Sequence, residues 1–214
     1  MTELSGNAVF LDAATHRRGL AGETHLLEAA GRPAPGVELR IVDDDGNGRP
    51  DGEVGEILVR AEQVMSGYLD DDAATSAAIV DGWLHTGDVG HLVDGLLTVV
   101  DRKKDMVITG GENVSSLEVE ATVLEHPDVS RVAVVGVADP TWGENVCAVV
   151  VPRPGTTIDV ADLVAHVRSR LAGFKAPRHV VVVDELPVNA SGKVLKAELR
   201  ARLAQEPDLI GERL

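Results

Sequence analysis

Apolar and polar residues alternate through Val37-Glu38-Leu39-Arg40-Ile41-Val42, the mark of a strand with one face buried. Asp43-Asp44-Asp45-Gly46-Asn47-Gly48 then supplies residues that turn a chain. Glu53-Val54-Gly55-Glu56-Ile57-Leu58-Val59-Arg60 reads as a second strand, so the pattern predicts a hairpin. Residues 72–80 predict a short helix, and residues 83–86 and 95–100 predict further strands. The first half therefore reads as an antiparallel sheet or part of a small barrel.

The second half changes character. Ser115-Ser116-Leu117-Glu118 has the spacing of a capping box, which predicts a helix running to about residue 125. Valine-rich runs at 131–137 and 145–151 predict strands. Asp159 can cap a helix that carries Leu163, Val164, Val167 and Leu171 on one face. A strand follows at 179–183. Leu195, Leu199 and Leu203 recur every four residues and predict a final helix. Helices interleaved with strands predict a compact α/β module, so the fold class is α+β: a partial antiparallel β-barrel over residues 1–101, then a small α/β domain over 102–214. The boundary falls at Asp101-Arg102-Lys103-Lys104-Asp105, five charged residues between apolar strands, read as a linker.

Composition narrows the classes. Aromatic residues make up 2% of the 214 residues, so the core must be aliphatic and alanine-rich. A net charge of −15 argues against a nucleic-acid or anionic-membrane partner, because phosphates would be repelled. Cys147 lies in an apolar run and is expected to be a buried strand residue in a reducing compartment. No apolar stretch has the length of a membrane span and no signal-peptide pattern opens the chain, so a cytoplasmic location is expected.

Against that acidic background, Lys193 stands out. It follows Asn189-Ala190-Ser191-Gly192 on a tight turn, immediately before the last helix. A lysine so placed can meet an anion or can be a solvated charge. The run is not a phosphate-binding P-loop, since Val194 follows the lysine. Other segments keep it company. Gly82-Trp83-Leu84-His85-Thr86-Gly87-Asp88 ends in an aspartate after a Thr-Gly turn, suited either to a ribose diol or to capping its own backbone. Thr109-Gly110-Gly111-Glu112-Asn113 would let another molecule approach the backbone closely, or is simply a hairpin turn.

In their order and spacing these segments, with Gly55-Glu56-Ile57-Leu58-Val59-Arg60 and Val64-Met65-Ser66-Gly67-Tyr68, resemble the AMP-forming acyl-CoA synthetases. Those belong to the superfamily of acyl- and aryl-CoA ligases, peptide-synthetase adenylation domains and firefly luciferases. The resemblance runs from Met1 to about Leu203. It implies that Thr2 and Glu3 end the family's Tyr-Gly-x-Thr-Glu motif, with Thr2 at the AMP phosphate and Glu3 helping to hold Mg2+. It implies that Asp88 and Arg102 reach the ribose hydroxyls, that Lys104 is the hinge of a mobile C-terminal lid domain, and that Gly110, Gly111 and Glu112 line the pantetheine tunnel. Trp142 falls near the CoA channel, Phe174 and Lys175 fall in a loop that can contact CoA, and Lys193 matches the catalytic lysine of adenylation.

The implied activity is ATP-dependent: a carboxylic acid is adenylated, then passed to CoA as a thioester. The chain also departs from the pattern. The Thr-Ser-Gly-Thr-Thr-Gly phosphate loop, the large N-terminal subdomains and most of the acyl pocket are not encoded in it. Asp72 replaces a usual proline, and Ala176 stands where some relatives carry a CoA-binding arginine. The expectation is a C-terminal part of a fatty-acid or other acyl-CoA ligase, inactive in adenylation alone. The alternatives are a fragment of a carrier-protein-loading adenylation domain, which a lysine at the hinge disfavours, and a non-catalytic module that complements an N-terminal subunit. A homodimer is left open, and the acid is not readable.

Overall fold

The computed structural model describes residues 1–210. The chain divides into two units, Met1–Lys103 and Lys104–Leu214.

In the first unit, β1 (Val9–Phe10) and β2 (Arg32–Pro33) form a two-residue antiparallel ladder around α1 (Ala13–Leu20). Asp12 caps α1, its Oδ1 accepting from the amides of Ala14 at 2.8 Å and Thr15 at 2.9 Å. The main sheet contains β3 (Glu38–Val42), β4 (Gly55–Arg60), β5 (Ile79–Val80), β6 (Trp83–Val93) and β7 (Leu96–Arg102). Its order is β3-β4-β6-β5, with β7 also on β6, and every pairing is antiparallel. The result is a half-barrel. Its inner face buries Leu4, Ile41, Ile57, Val59, Leu84 and Leu97. On the other face Trp83 lies between the guanidinium groups of Arg40 and Arg60, at 4.3 and 4.5 Å from the ring centroid.

Two local predictions are corrected in this unit. The helix expected over 72–80 ends sooner: α2 (Asp72–Ala78) stops and Ile79–Val80 pair with Leu84 and Trp83 of β6. The two β-branched residues favour the ladder over another half-turn of helix. Thr86-Gly87-Asp88 is not a turn. It lies within β6, where the register against β4 jumps from Leu58↔His85 to Glu56↔Val89. That is a bulge, and Gly87 supplies its left-handed residue at φ 67°. The charged run at 101–105 contains the division between the two units, and Lys103 and Lys104 within it are exposed. Asp101 and Arg102 complete β7, with Asp101 only 2% exposed, and Lys103–Asp105 form a 3-10 turn.

The second unit is built on β8 (Val107–Thr109), β9 (Glu112–Val114), β10 (Val129–Asp139), β11 (Gly143–Pro152) and β12 (His179–Val182). The order is β10-β11-β8-β9, and β12 runs parallel to β11. Alternation along β10 and β11 feeds two cores. One face carries Val134, Val146 and Val150 against Val119 and Val123 of α3 (Ser116–Leu124) and Leu163 and Val167 of α4 (Val160–Arg168). The other carries Val135, Cys147 and Val149 against Leu199 and Leu203 of α5 (Lys196–Gln205). Cys147 is fully buried, and burial pushes its thiol pKa up to about 12. Ser115 caps α3 by accepting from the Glu118 amide at 3.3 Å. The Glu118 carboxylate takes the Lys175 ammonium at 2.7 Å.

Candidate functional site

On the first unit, the bulge in β6 sets Asp88 opposite Arg102 of β7, and their side chains form an ion pair at 3.0 Å. Thr86 supports the bulge. Its hydroxyl donates to the Ile57 carbonyl at 2.7 Å and accepts from the Asp88 amide at 3.1 Å. Both charged side chains remain partly exposed, at 25% for Asp88 and 43% for Arg102. Asp88 edges a cavity of about 210 Å³ that Met1, Leu4, Ile57, Thr86 and Leu97 also line. A carboxylate and a guanidinium held side by side at the rim of a cavity can grip a vicinal diol, one accepting and the other donating.

Thr2 and Glu3 lie on an opening 3-10 turn, Thr2–Leu4. Glu3 is fixed twice. Its carbonyl accepts from the Met65 amide at 2.8 Å, and its carboxylate accepts from the Tyr68 hydroxyl at 3.1 Å, which raises the tyrosine pKa. Among the described residues no group of three or more His, Cys, Asp or Glu side chains is placed to hold a metal. A lone carboxylate still suits Mg2+, which commonly takes one or two carboxylates together with substrate phosphates. Lys103 is tied within this unit, to Asp44 at 2.9 Å and Glu56 at 3.1 Å.

On the second unit, Gly110 and Gly111 form the two-residue turn between β8 and β9, with φ of 60° and 84°. The Gly110 amide donates to the Trp142 carbonyl at 2.8 Å. A Cβ on Gly110 would sit 2.7 Å from Trp142 Cε3, whereas Gly111 has open space around it. Arg178 stacks over the Trp142 ring at 4.8 Å. Asp139 holds the turn that carries the tryptophan, accepting from the Thr141 and Trp142 amides at 2.8 Å each and from Asn145 Nδ2 at 2.7 Å. Glu112 is exposed. Phe174 and Lys175 share the 3-10 turn Gly173–Lys175; Phe174 is 38% exposed, while Lys175 is paired with Glu118. Lys104 and Asp105 are clamped by Arg200, which donates to the Lys104 carbonyl at 2.9 Å and to Asp105 Oδ1 at 2.6 Å.

Lys193 sits in a loop organised by Asn189. Asn189 Oδ1 accepts from the Ser191 amide at 3.1 Å, the Ser191 hydroxyl at 2.8 Å and the Lys193 amide at 2.9 Å. The Asn189 amide donates to the Lys193 carbonyl at 2.9 Å, and Val188 and Val194 form a bridge. The ammonium of Lys193 is exposed and makes no ion pair among the described residues. Asn189 and Arg178 were missed in the sequence. An asparagine that opens a turn before Ser-Gly is a readable signal for the first. The stacking of Arg178 on Trp142 has no local signal.

The AMP-binding enzyme model matches residues 1–69, and the AMP-binding enzyme C-terminal domain model matches residues 118–193. The chain belongs to the AMP-binding enzyme family. Indoleacetate–CoA ligase of Aromatoleum aromaticum is 48% identical over 179 residues, spanning 83% of this chain and 35% of that protein. Feruloyl-CoA synthase of Amycolatopsis is 44% identical over 94% of this chain and 40% of its own. Among solved structures, o-succinylbenzoate CoA synthetase from Bacillus subtilis with its acyl-adenylate intermediate superposes with a TM-score of 0.83 at 36% identity. That match spans 94% of this chain and 40% of the synthetase. This AMP-binding enzyme chain therefore spans well under half the length of the relatives it matches. Among its described residues no helix is long and apolar enough to cross a membrane.

Proposed function

We propose that this chain supplies the ribose grip, the catalytic lysine and the CoA-facing strand of an ATP-dependent, AMP-forming acyl-CoA ligase. In that reaction a carboxylate attacks the α-phosphorus of ATP, pyrophosphate leaves, and the CoA thiol then displaces AMP from the acyl-adenylate. Asp88 and Arg102 hold the ribose hydroxyls. Thr2 meets the phosphate, and Glu3 is the protein's ligand to Mg2+, which when bound neutralises phosphate charge. Lys193 bridges the attacking carboxylate and the α-phosphate, where negative charge accumulates, so its work is positioning and charge neutralisation. Lys104 is the hinge about which the second unit turns as a lid. Gly110, Gly111 and Glu112 then face the pantetheine arm, with Trp142, Phe174 and Lys175 toward the rest of CoA. Separate lid positions keep pyrophosphate and CoA from sharing one space.

The observation that supports this most is Lys193 itself. It is exposed and without an ion-pair partner among the described residues, on a loop that the Asn189 side chain ties together. The chain alone is expected to give no ATP–pyrophosphate exchange with a panel of acids. Joined behind the N-terminal remainder of the indoleacetate ligase, it is expected to exchange. There Lys193→Ala should abolish exchange and largely spare thioester formation from preformed acyl-adenylate. Equal loss of both steps would remove the assigned role.

A further inference from the structure

The Lys193 loop is a closed unit. The Val188–Val194 bridge, the Asn189–Lys193 backbone bond and the Asn189 side chain all lie inside it. Those bonds give it shape but not direction. Its base is closed by the Leu195 amide donating to the Pro187 carbonyl at 2.9 Å. On the upstream side the loop is held by Leu186, a buried apolar contact without directionality. On the downstream side the first residue of α5 is Lys196, and its ammonium is bound on two sides. It donates to Ser116 Oγ at 2.6 Å and pairs with Glu120 Oε1 at 2.7 Å. The same Glu120 oxygen accepts from the Val134 amide at 2.8 Å. One ammonium thus joins the stem of the loop to α3 and, through Glu120, to β10.

We propose that Lys196 is a positioning residue for Lys193: held by Glu120 and Ser116, it sets the direction in which the 188–195 loop leaves the second unit. The proposal rests on the reading of Lys193 as the adenylation lysine. Energetics favour direction over stability as the role of this pair. Lys196 and Glu120 side chains are only 13% and 15% exposed, so both ions give up most of their water. A cation at the first turn of a helix also opposes the helix dipole. An apolar residue would hold α5 at lower cost. What an apolar residue lacks is a tie of fixed length and angle. The pairing has a second effect. With the Lys196 charge taken up by Glu120, Lys193 is left as the ammonium of this segment available to an anion.

The test uses residual dipolar couplings of backbone amides in the 214-residue chain. In the wild type, the amides of Ser191, Gly192 and Val194 should fit the same alignment as those of β10 and β11. Lys196→Met should reduce the loop couplings at least twofold through motional averaging while the strands keep their fit. Glu120→Gln, which retains an acceptor for both amide and ammonium, should have an intermediate effect, and Lys196→Arg should restore most of the wild-type values. In the joined ligase, Lys196→Met should lower kcat for adenylation at least tenfold, leave the KM for ATP within twofold, and leave the thioester step unchanged. Loop couplings that stay at wild-type values in Lys196→Met would overturn the proposal. So would averaged couplings with an unchanged adenylation rate. If Lys193→Ala leaves adenylation intact, the catalytic reading falls while the coupling data still report on the tie.

Discussion

Adding one methyl group at Gly110 separates two effects that the Gly110–Gly111 turn combines. Both residues are left-handed, at φ 60° and 84°, a region that costs a residue with a Cβ about 1–2 kcal/mol. Gly111→Ala meets only that cost, because nothing lies within 4 Å of its added Cβ. Gly110→Ala also drives the methyl to 2.7 Å from Trp142 Cε3 and 3.0 Å from Cζ3. The ring has little room to retreat, since Arg178 covers it at 4.8 Å and its own carbonyl is held by the Gly110 amide. Overpacking of this kind adds about 1–3 kcal/mol. Urea unfolding should therefore find Gly110→Ala less stable than Gly111→Ala by about 1–3 kcal/mol. In a Trp142→Ala background the two alanine variants should agree within about 0.5 kcal/mol. Equal destabilisation in the wild-type background, or a difference that survives removal of the indole, would refute the packing of Gly110 against Trp142.

Two further outcomes follow from burial and from pairing. The Cys147 thiol ionises near 9 when unfolded and near 12 when folded, so its contribution to stability is full below pH 9 and is lost as pH rises toward 12. Wild type should lose about 1.4 kcal/mol more per pH unit than Cys147→Ala between pH 9.5 and 11 in urea titrations; parallel slopes would show that the thiol is not buried. Because Asp88 and Arg102 are a partly exposed pair, Asp88→Ala should cost less than about 1 kcal/mol of stability. In the joined ligase the same change should raise the KM for ATP at least tenfold, and an unchanged KM would remove Asp88 from the ribose site.

What was legible in the sequence was what repeats locally. The alternation around β3 and β4, the valine runs of β10 and β11, and the cap at Ser115 each carry their signal within a few residues. Two kinds of feature were not legible. Short or interrupted elements give no period: β1, β2 and β5 are two residues each, and the Gly87 bulge imitates a turn because the same glycine serves both. Side-chain ties between distant segments have no local trace, as with Arg178 on Trp142, Glu118 on Lys175 and Glu120 on Lys196. The charge run at 101–105 was legible as the division between the units, but the ties its residues make were not. Arg102 pairs with Asp88, Lys103 with Asp44 and Glu56, and Asp105 with Arg200, so hydrophilicity there marks partners as well as solvent. For the site, Lys193 was legible as a lysine on a turn and Asn189 as a turn-opening asparagine, but not that one asparagine oxygen accepts three hydrogen bonds across the loop.

Lys103 and Lys104 are neighbours in the chain, yet each is anchored to a different body: Lys103 by Asp44 and Glu56, the Lys104 carbonyl by Arg200. On the proposed reading of Lys104 as a hinge, a junction held on both sides would act as a pin. Reorienting one body against the other has to be absorbed largely by ψ of Lys103 and φ of Lys104, since peptide planarity removes the torsion between them. Two soft torsions make a swivel with few intermediate stops, in contrast to a floppy tether whose many conformers would each have to be searched. On the same proposal, Arg200 would set how sharply the pivot is defined. Lengthening the free segment by cutting its clamp would turn a swivel into a leash.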